Sequence, residues 1–201
     1  MIKLSNVTRR FGDKAVLSNL SFTFPDKGIF ALMGPSGSGK TTLLRLLAGL
    51  DKPDGGSIES THQKTAVAFQ EHRLLPWLNC LDNLKLVLPK GDNSSLLAQK
   101  WLKTMELSES ASLLPGALSG GMKQRLSLAR ALCYGGDLLL LDEPFSALDK
   151  GLKERIIPLL REANPNGLTV LITHNRAEAE ALGATILETV GDPITVLKAT
   201  Q

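Results

Sequence analysis

The chain has 201 residues, 43% hydrophobic and 21% charged, the balance of a soluble globular domain and not of a disordered or collagenous chain. Twenty-three Lys and Arg against 20 Asp and Glu leave a net charge of +3, too small to point to nucleic acid as a partner. The longest apolar runs, such as Leu138 to Leu141, fall far short of the ~20 residues that span a bilayer, and Met1 to Arg10 lacks a signal segment, which predicts a cytosolic chain.

Taken in order, Leu20, Phe22 and Phe24 alternate with polar neighbours, as in a strand with one buried face. Gly28 to Met33 is a short apolar run, which predicts a buried strand. Glycines then lead into a helix over Thr41 to Leu50, with Leu43, Leu44, Leu46, Leu47 and Leu50 buried and an end near Gly49. Lys52 to Gly56 reads as a turn and Val67 to Phe69 as a strand. From about Glu71 to Ala117 no strand pattern occurs, and Leu96, Leu97, Trp101, Leu102 and Met105 recur at helical spacing. This predicts a small helical subdomain inserted in an α/β core, the core being 1–70 and 135–201 and the insertion about 71–134 of a single domain over 1–201. A helix over Ser119 to Tyr134, a buried strand over Asp137 to Leu141 and a helix over Lys150 to Ala163, kinked at Pro158, follow. Strand Leu168 to Thr173, helix Arg176 to Leu182, and strands Thr185 to Val190 and Ile194 to Lys198 complete the chain, joined at the last turn by Gly191 to Pro193. Cys80 and Cys133 lack metal-ligand spacing and receive no role.

Gly34-Pro35-Ser36-Gly37-Ser38-Gly39-Lys40-Thr41, followed by Thr42, fits G-x-x-x-x-G-K-[ST] between a predicted strand and a predicted helix. Glycines there let backbone N–H groups wrap a phosphate at the positive end of a helix. Lys40 would reach the β- and γ-phosphates and the Thr41 hydroxyl would ligate Mg²⁺. A Gly-Ser turn before an ordinary helix is the bland alternative, and the strand–loop–helix context weighs against it. Asp142 and Glu143 end the buried strand after Leu141, which suits Asp142 to hold Mg²⁺ and Glu143 to polarise a water as general base.

Leu118-Ser119-Gly120-Gly121-Met122-Lys123-Gln124-Arg125, upstream of the Leu138–Glu143 run, resembles the LSGGQ signature of ATP-binding cassette (ABC) ATPases. The resemblance runs from Phe11 to about Leu182 and implies an α/β P-loop core of that type, with an N-terminal antiparallel β subdomain and an inserted helical subdomain. It implies that Ser119, Gly120 and Gly121 form a second phosphate nest, brought onto the phosphate loop of a second copy or a similar ATPase subunit in a head-to-tail dimer. It implies further that Gln70 touches Mg²⁺ and the lytic water, and that His174 contacts the γ-phosphate and helps position Glu143. Ser146, Ala147, Leu148 and Asp149 would cross the dimer interface. Phe11 falls where the family stacks an aromatic on adenine, worth ~1–3 kcal/mol, and would otherwise be a core residue.

Leu74 to Trp77 and Met122, which replaces the usual glutamine, resemble importers of the nitrate, sulfonate and taurine group. Pro76 and Trp77 would then receive a membrane permease, Trp77 otherwise being a buried cap on the helical subdomain. Asn175 stands where an aspartate often follows the histidine, and the end of the chain soon after Lys198 leaves no room for a C-terminal regulatory domain. The expectation is an ATP- and Mg²⁺-dependent importer ATPase, peripheral on the cytoplasmic face of the cell membrane, served indirectly by an extracytoplasmic solute-binding protein. Its rivals are a soluble ABC ATPase acting on nucleic acid or a protein assembly, a P-loop small-molecule kinase, and a non-catalytic binding module.

Overall fold

Ile2, Leu4 and Val7 of β1 (Ile2–Phe11) and Leu17, Leu20 and Phe24 of β2 (Lys14–Phe24) are the buried side chains of an antiparallel hairpin in the computed structural model, which describes residues 1–91 and 93–200. Asp92 and Gln201, both inside the expected domain limits, lie outside the described residues. Asn6 and Asn19 both adopt a positive φ of 50°, and the pairing register shifts between Leu4 and Val7 and again between Val7 and Arg9. The chain continues through β3 (Gly28–Met33) and α1 (Lys40–Leu47) and returns as β4 (Gly55–Ser60) on the free edge of β1. The first sheet therefore has the order β2-β1-β4. The turn expected at Lys52 to Gly56 is shorter, because Gly55 and Gly56 already pair as strand.

The second sheet contains β3, β5 (Thr65–Ala68), β6 (Leu138–Asp142), β7 (Leu168–Ile172), β8 (Thr185–Val190) and β9 (Val196–Thr200), in the order β5-β6-β7-β3-β8-β9. All pairings are parallel except β8 with β9. Every residue of β6 and β7 is buried, as parallel strands covered on both faces require. Ile194, expected to begin the last strand, precedes it instead. Its N–H donates to Val16 O and its carbonyl accepts from Ser18 N, so it stitches the second sheet to the first.

Helix α1 ends at Leu47, with Gly49 at φ 69°, so Leu50 lies beyond it and is 52% exposed, whereas Leu43, Leu44, Leu46 and Leu47 are buried. Between β5 and β6 come α2 (Cys80–Lys85), α3 (Ser94–Thr104) and α4 (Gly120–Tyr134), with 3-10 turns at Ser108–Ser110 and Pro115–Ala117 and no strand among the described residues. The inward face of α3 is Ala98 and Leu102, continued by Met105, while Leu96 and Leu97 of the same helix face solvent. Helix α5 (Lys150–Ala163) runs unbroken through Pro158, which lies on its exposed side. Helix α6 (Arg176–Ala181) precedes β8. One apolar core joins α2 to α5 with one face of the sheet, and another joins α1 and the first sheet with the other face. The carboxyl ends of β3, β5, β6 and β7 point the same way, which gathers their following loops at one edge.

Candidate active site

The loop 34–39 between β3 and α1 can be built only with glycine at two points. A Cβ on Gly34 would sit 2.0 Å from Thr189 Oγ1, and one on Gly39, at φ 104°, would sit 2.2 Å from Val16 Cγ1. Gly39 caps α1 without any side chain, which leaves the first-turn amides of α1 free for an anion. Lys40 is buried and its Nζ donates to Gly34 O (2.9 Å) and Pro35 O (2.6 Å), leaving one of its three protons for a ligand. Burial lowers the Lys40 pKa, against the opposing pull of Glu143 and Asp142. Ser38 is buried too, and its hydroxyl has no hydrogen-bond partner.

A cavity of about 520 Å³ opens beside this loop. Ser36, Gly37, Gly39, Lys40, Thr41 and Thr42 line its floor, while Gln70, Asp142, Glu143, Ser146 and His174 line its wall and Phe11 its rim. Phe11 is 52% exposed, not a core residue, and Arg9 stacks on its ring with the guanidinium 4.9 Å from the centroid. Thr41 Oγ1 donates to Asp142 Oδ2 across 2.8 Å. This pair of hard oxygens suits Mg²⁺, which typically takes one or two protein ligands and completes its shell with phosphates and water. No group of three His, Cys, Asp or Glu side chains able to hold a metal ion occurs among the described residues.

His174 Nε2 lies 2.9 Å from Glu143 Oε1, although that buried oxygen makes no hydrogen bond. Burial raises the Glu143 pKa first of all; Asp142 and Glu178 add to the rise, and His174 and Lys40 oppose it. Burial likewise raises Asp142. A carboxyl whose folded pKa is raised adds stability below its unfolded pKa and loses it as pH climbs through the folded value. Nucleotide-free Glu143→Gln is therefore expected to melt above the wild type at pH 8, with the advantage shrinking as the pH falls through the raised folded value and gone below the ordinary carboxylate range. Thermal denaturation at both pH values checks it, and an advantage largest in acid would contradict the burial.

Other expected residues lie away from the cavity. Ser119 caps α4, its Oγ accepting from Met122 N at 3.2 Å, and Gly120 and Gly121 form the first turn, none of them lining the cavity. Ser146 and Ala147 are exposed, but Leu148 is buried in the core and offers no surface. Asp149 is exposed and caps α5 by accepting from Leu152 N (2.9 Å), a bond that lowers its pKa. Pro76 is exposed and Trp77 is 70% exposed, so Trp77 is no buried cap. Burial pushes the Cys133 thiol up to about 12, which makes it inert.

Several supporting residues received no role from the sequence. Buried Asn83 on α2 donates to Leu75 O, Leu78 O and Asn79 O, and Arg130 on α4 donates to Arg73 O, so these two hold the loop that presents Pro76 and Trp77. Glu178 accepts from Thr173 Oγ1 (2.7 Å) and Lys153 Nζ (2.8 Å), which braces the turn before His174. Gln124 on α4 donates to Glu143 O (2.7 Å) and to Ser146 Oγ (2.6 Å). Glu143 itself stands at φ 52°, a conformation uncommon for any residue but glycine, asparagine or aspartate.

Residues 17–146 match the ABC transporter family. An aliphatic sulfonates import ATP-binding protein of Paracoccus denitrificans is 42% identical over 192 residues, covering 92% of this chain and 78% of its own length. A spermidine/putrescine import ATP-binding protein of Pseudomonas aeruginosa is 40% identical over 90% of this chain, which spans only 54% of that relative. Among solved structures, the dimeric post-hydrolysis state of an ATP-binding cassette bound to ADP and Pi superposes with a TM-score of 0.88 at 30% identity, covering 100% of this chain and 98% of that one. No helix among the described residues is long and apolar enough to cross a membrane.

Proposed function

This chain belongs to the ABC transporter family, and from that premise we propose that it is the ATP-binding and ATP-hydrolysing subunit of an importer, powering uptake of a small solute through a membrane permease. The supporting observation is the convergence of Lys40, Thr41, Gln70, Asp142, Glu143 and His174 on one cavity at the carboxyl ends of parallel strands. The first-turn amides of α1 and Lys40 cradle the nucleotide's phosphates, and Phe11 stacks on the base. Thr41 and Asp142, joined here by a hydrogen bond, hold Mg²⁺ with Gln70 beside them. Mg²⁺, when bound, neutralises charge on the β- and γ-phosphate oxygens. Glu143 orients and deprotonates the attacking water, and His174, 2.9 Å from its carboxylate, faces the γ-phosphate.

Gly120 and Gly121 argue for two copies acting together. Neither has a positive φ; a Cβ on Gly120 would meet nothing within 4 Å, and one on Gly121 only Ala147 at ordinary distance. Two glycines opening a helix that the chain itself does not require cost up to about 1 kcal/mol each against alanine. Close approach of a second chain's nucleotide to the Ser119–Gly121 amides gives them a purpose. The assembly is accordingly a head-to-tail dimer, of this chain or of this chain with a similar ATPase subunit, closed by ATP and reopened after hydrolysis.

Pro76 and Trp77 meet the permease, which places the chain peripherally on the cytoplasmic face of the membrane, with a solute-binding protein acting on the far side and no nucleic acid involved. Relatives named for sulfonates and for spermidine/putrescine are nearly equally similar, so the choice of solute rests with the permease and binding protein. Purification from native cells in mild detergent tests the transporter assignment: a polytopic membrane protein should accompany the chain in near-equal amount. Trp77→Ala should weaken that association by about 2 kcal/mol, as for an exposed interface anchor. Recovery of soluble proteins or nucleic acid alone would move the chain to the non-transport ATPases.

A further inference from the structure

The peptide that carries Glu143 is gripped from two sides. Its N–H donates to Ile172 O of β7 at 3.0 Å. Its carbonyl accepts three donors, Gln124 Nε2 at 2.7 Å, Ser146 Oγ at 3.0 Å and Ser146 N at 3.3 Å. Gln124 also donates to Ser146 Oγ, so one amide group spans α4, the Glu143 carbonyl and the exposed turn at Ser146 and Ala147. Such a grip is needed because Glu143 sits at φ 52°, where a non-glycine residue persists only if its surroundings hold it. Gln124 does not line the cavity.

We propose that Gln124 is a positioning residue for hydrolysis: its side-chain amide ties the attitude of Glu143 to the position of α4. Gln124 lies about one helical turn beyond Ser119, Gly120 and Gly121. A shift of α4 when a second copy's nucleotide meets that first turn is passed to the Glu143 carbonyl through a single side chain. Hydrolysis is thereby linked to engagement of the second copy, because the carboxylate takes its working attitude only when α4 is seated. The proposal rests on Glu143 being the general base.

Gln124→Met keeps length and loses both donors; Gln124→Lys is one bond longer but carries a donor that can reach the same two oxygens. Steady-state hydrolysis by the full chain is expected to show kcat reduced roughly 100-fold in Gln124→Met, as for a small misplacement of a reacting group, with the KM for ATP and the melting temperature near wild type. Gln124→Lys should recover most of that loss. A structural role for Gln124 in packing predicts the reverse order, since methionine fills a half-buried site better than an ammonium, and a Met variant as active as Lys, or wild-type kcat in Met, overturns the proposal. A KM rise or melting loss in step with kcat overturns it as well. Should the Met variant not fold, Gln124→Leu, apolar and without donors, replaces it with the same outcomes. Glu143→Gln runs alongside: if it still hydrolyses ATP, the assignment beneath the proposal fails, whereas if it is silent and Gln124→Met is fully active, only the proposal fails.

Discussion

Glu143→Gln is expected to bind ATP as the wild type does and to hydrolyse it about 10²–10⁴-fold more slowly, the range for loss of a positioned general base. The groups that face the phosphates, the α1 amides and Lys40, stand on α1, and the substitution leaves that backbone in place while removing only the pull of the Glu143 charge on Lys40. Glutamine keeps the side chain's shape and its hydrogen-bond reach toward a water, but its amide cannot take a proton. The wild-type carboxyl is well suited to the task. Burial raises its pKa, which makes it a stronger base than an exposed glutamate, while His174 and Lys40 oppose the rise and favour the ionised form. Calorimetric titration with ATP, read beside single-turnover hydrolysis, checks both halves. Turnover near wild type would remove Glu143 from the chemistry, and loss of binding would show that the carboxylate also shapes the ground state.

The second large effect is expected at a position the chain itself leaves free. Gly120→Asp places a carboxylate at the first position of α4, where the helix dipole favours negative charge by about 0.3–1 kcal/mol and where no atom stands in the way of a Cβ. The monomer should therefore be as stable as the wild type or slightly more so. Hydrolysis should nevertheless fall by about 100-fold or more, because the new charge meets the phosphates of a nucleotide held by a second copy and costs several kcal/mol in like-charge contact. Binding of ATP to the isolated chain should survive, since α4 does not line the chain's own cavity. Melting temperature, ATP affinity and dimer formation with ATP, measured by light scattering, separate the outcomes. A variant that dimerises and hydrolyses normally would leave the Ser119–Gly121 turn without a function between copies.

Where one physical cause dominates, the sequence was a sufficient guide. Leu138 to Leu141 and Leu168 to Ile172 are strands because apolar residues on both faces leave little else for them to be, and each is buried throughout. Helix α5 spans Lys150–Ala163, the bounds expected of it. The phosphate loop was legible because its glycines are dictated by backbone geometry that recurs wherever a loop wraps phosphate. The pattern failed where the cause is tertiary. The alternation of β1 is broken at Asn6, whose positive φ shifts every later side chain, and β4 is written largely in glycine and serine. Ile194 was assigned to the last strand on hydrophobicity, yet its bonds go to Val16 and Ser18 in another sheet. Leu148 sat among residues expected at a surface and turned inward, because the core needed an apolar group there. Asn83 and Arg130 could not have been found in advance, each being an ordinary polar residue on a helix until the carbonyl it serves is brought beside it; Gln124 stood inside the signature-like stretch, but nothing there pointed to the Glu143 carbonyl.

The sheet order also fixes when the catalyst can come into being during synthesis. Strand β3, which delivers the phosphate loop, has β7 and β8 as its only neighbours in the sheet, and both emerge from the ribosome long after it. The Thr41–Asp142 bond joins residues 101 positions apart. Closing such distant contacts is entropically costly and comes late. A nascent chain halted before Leu168 thus carries the whole phosphate-loop motif on a strand that has neither of its sheet neighbours.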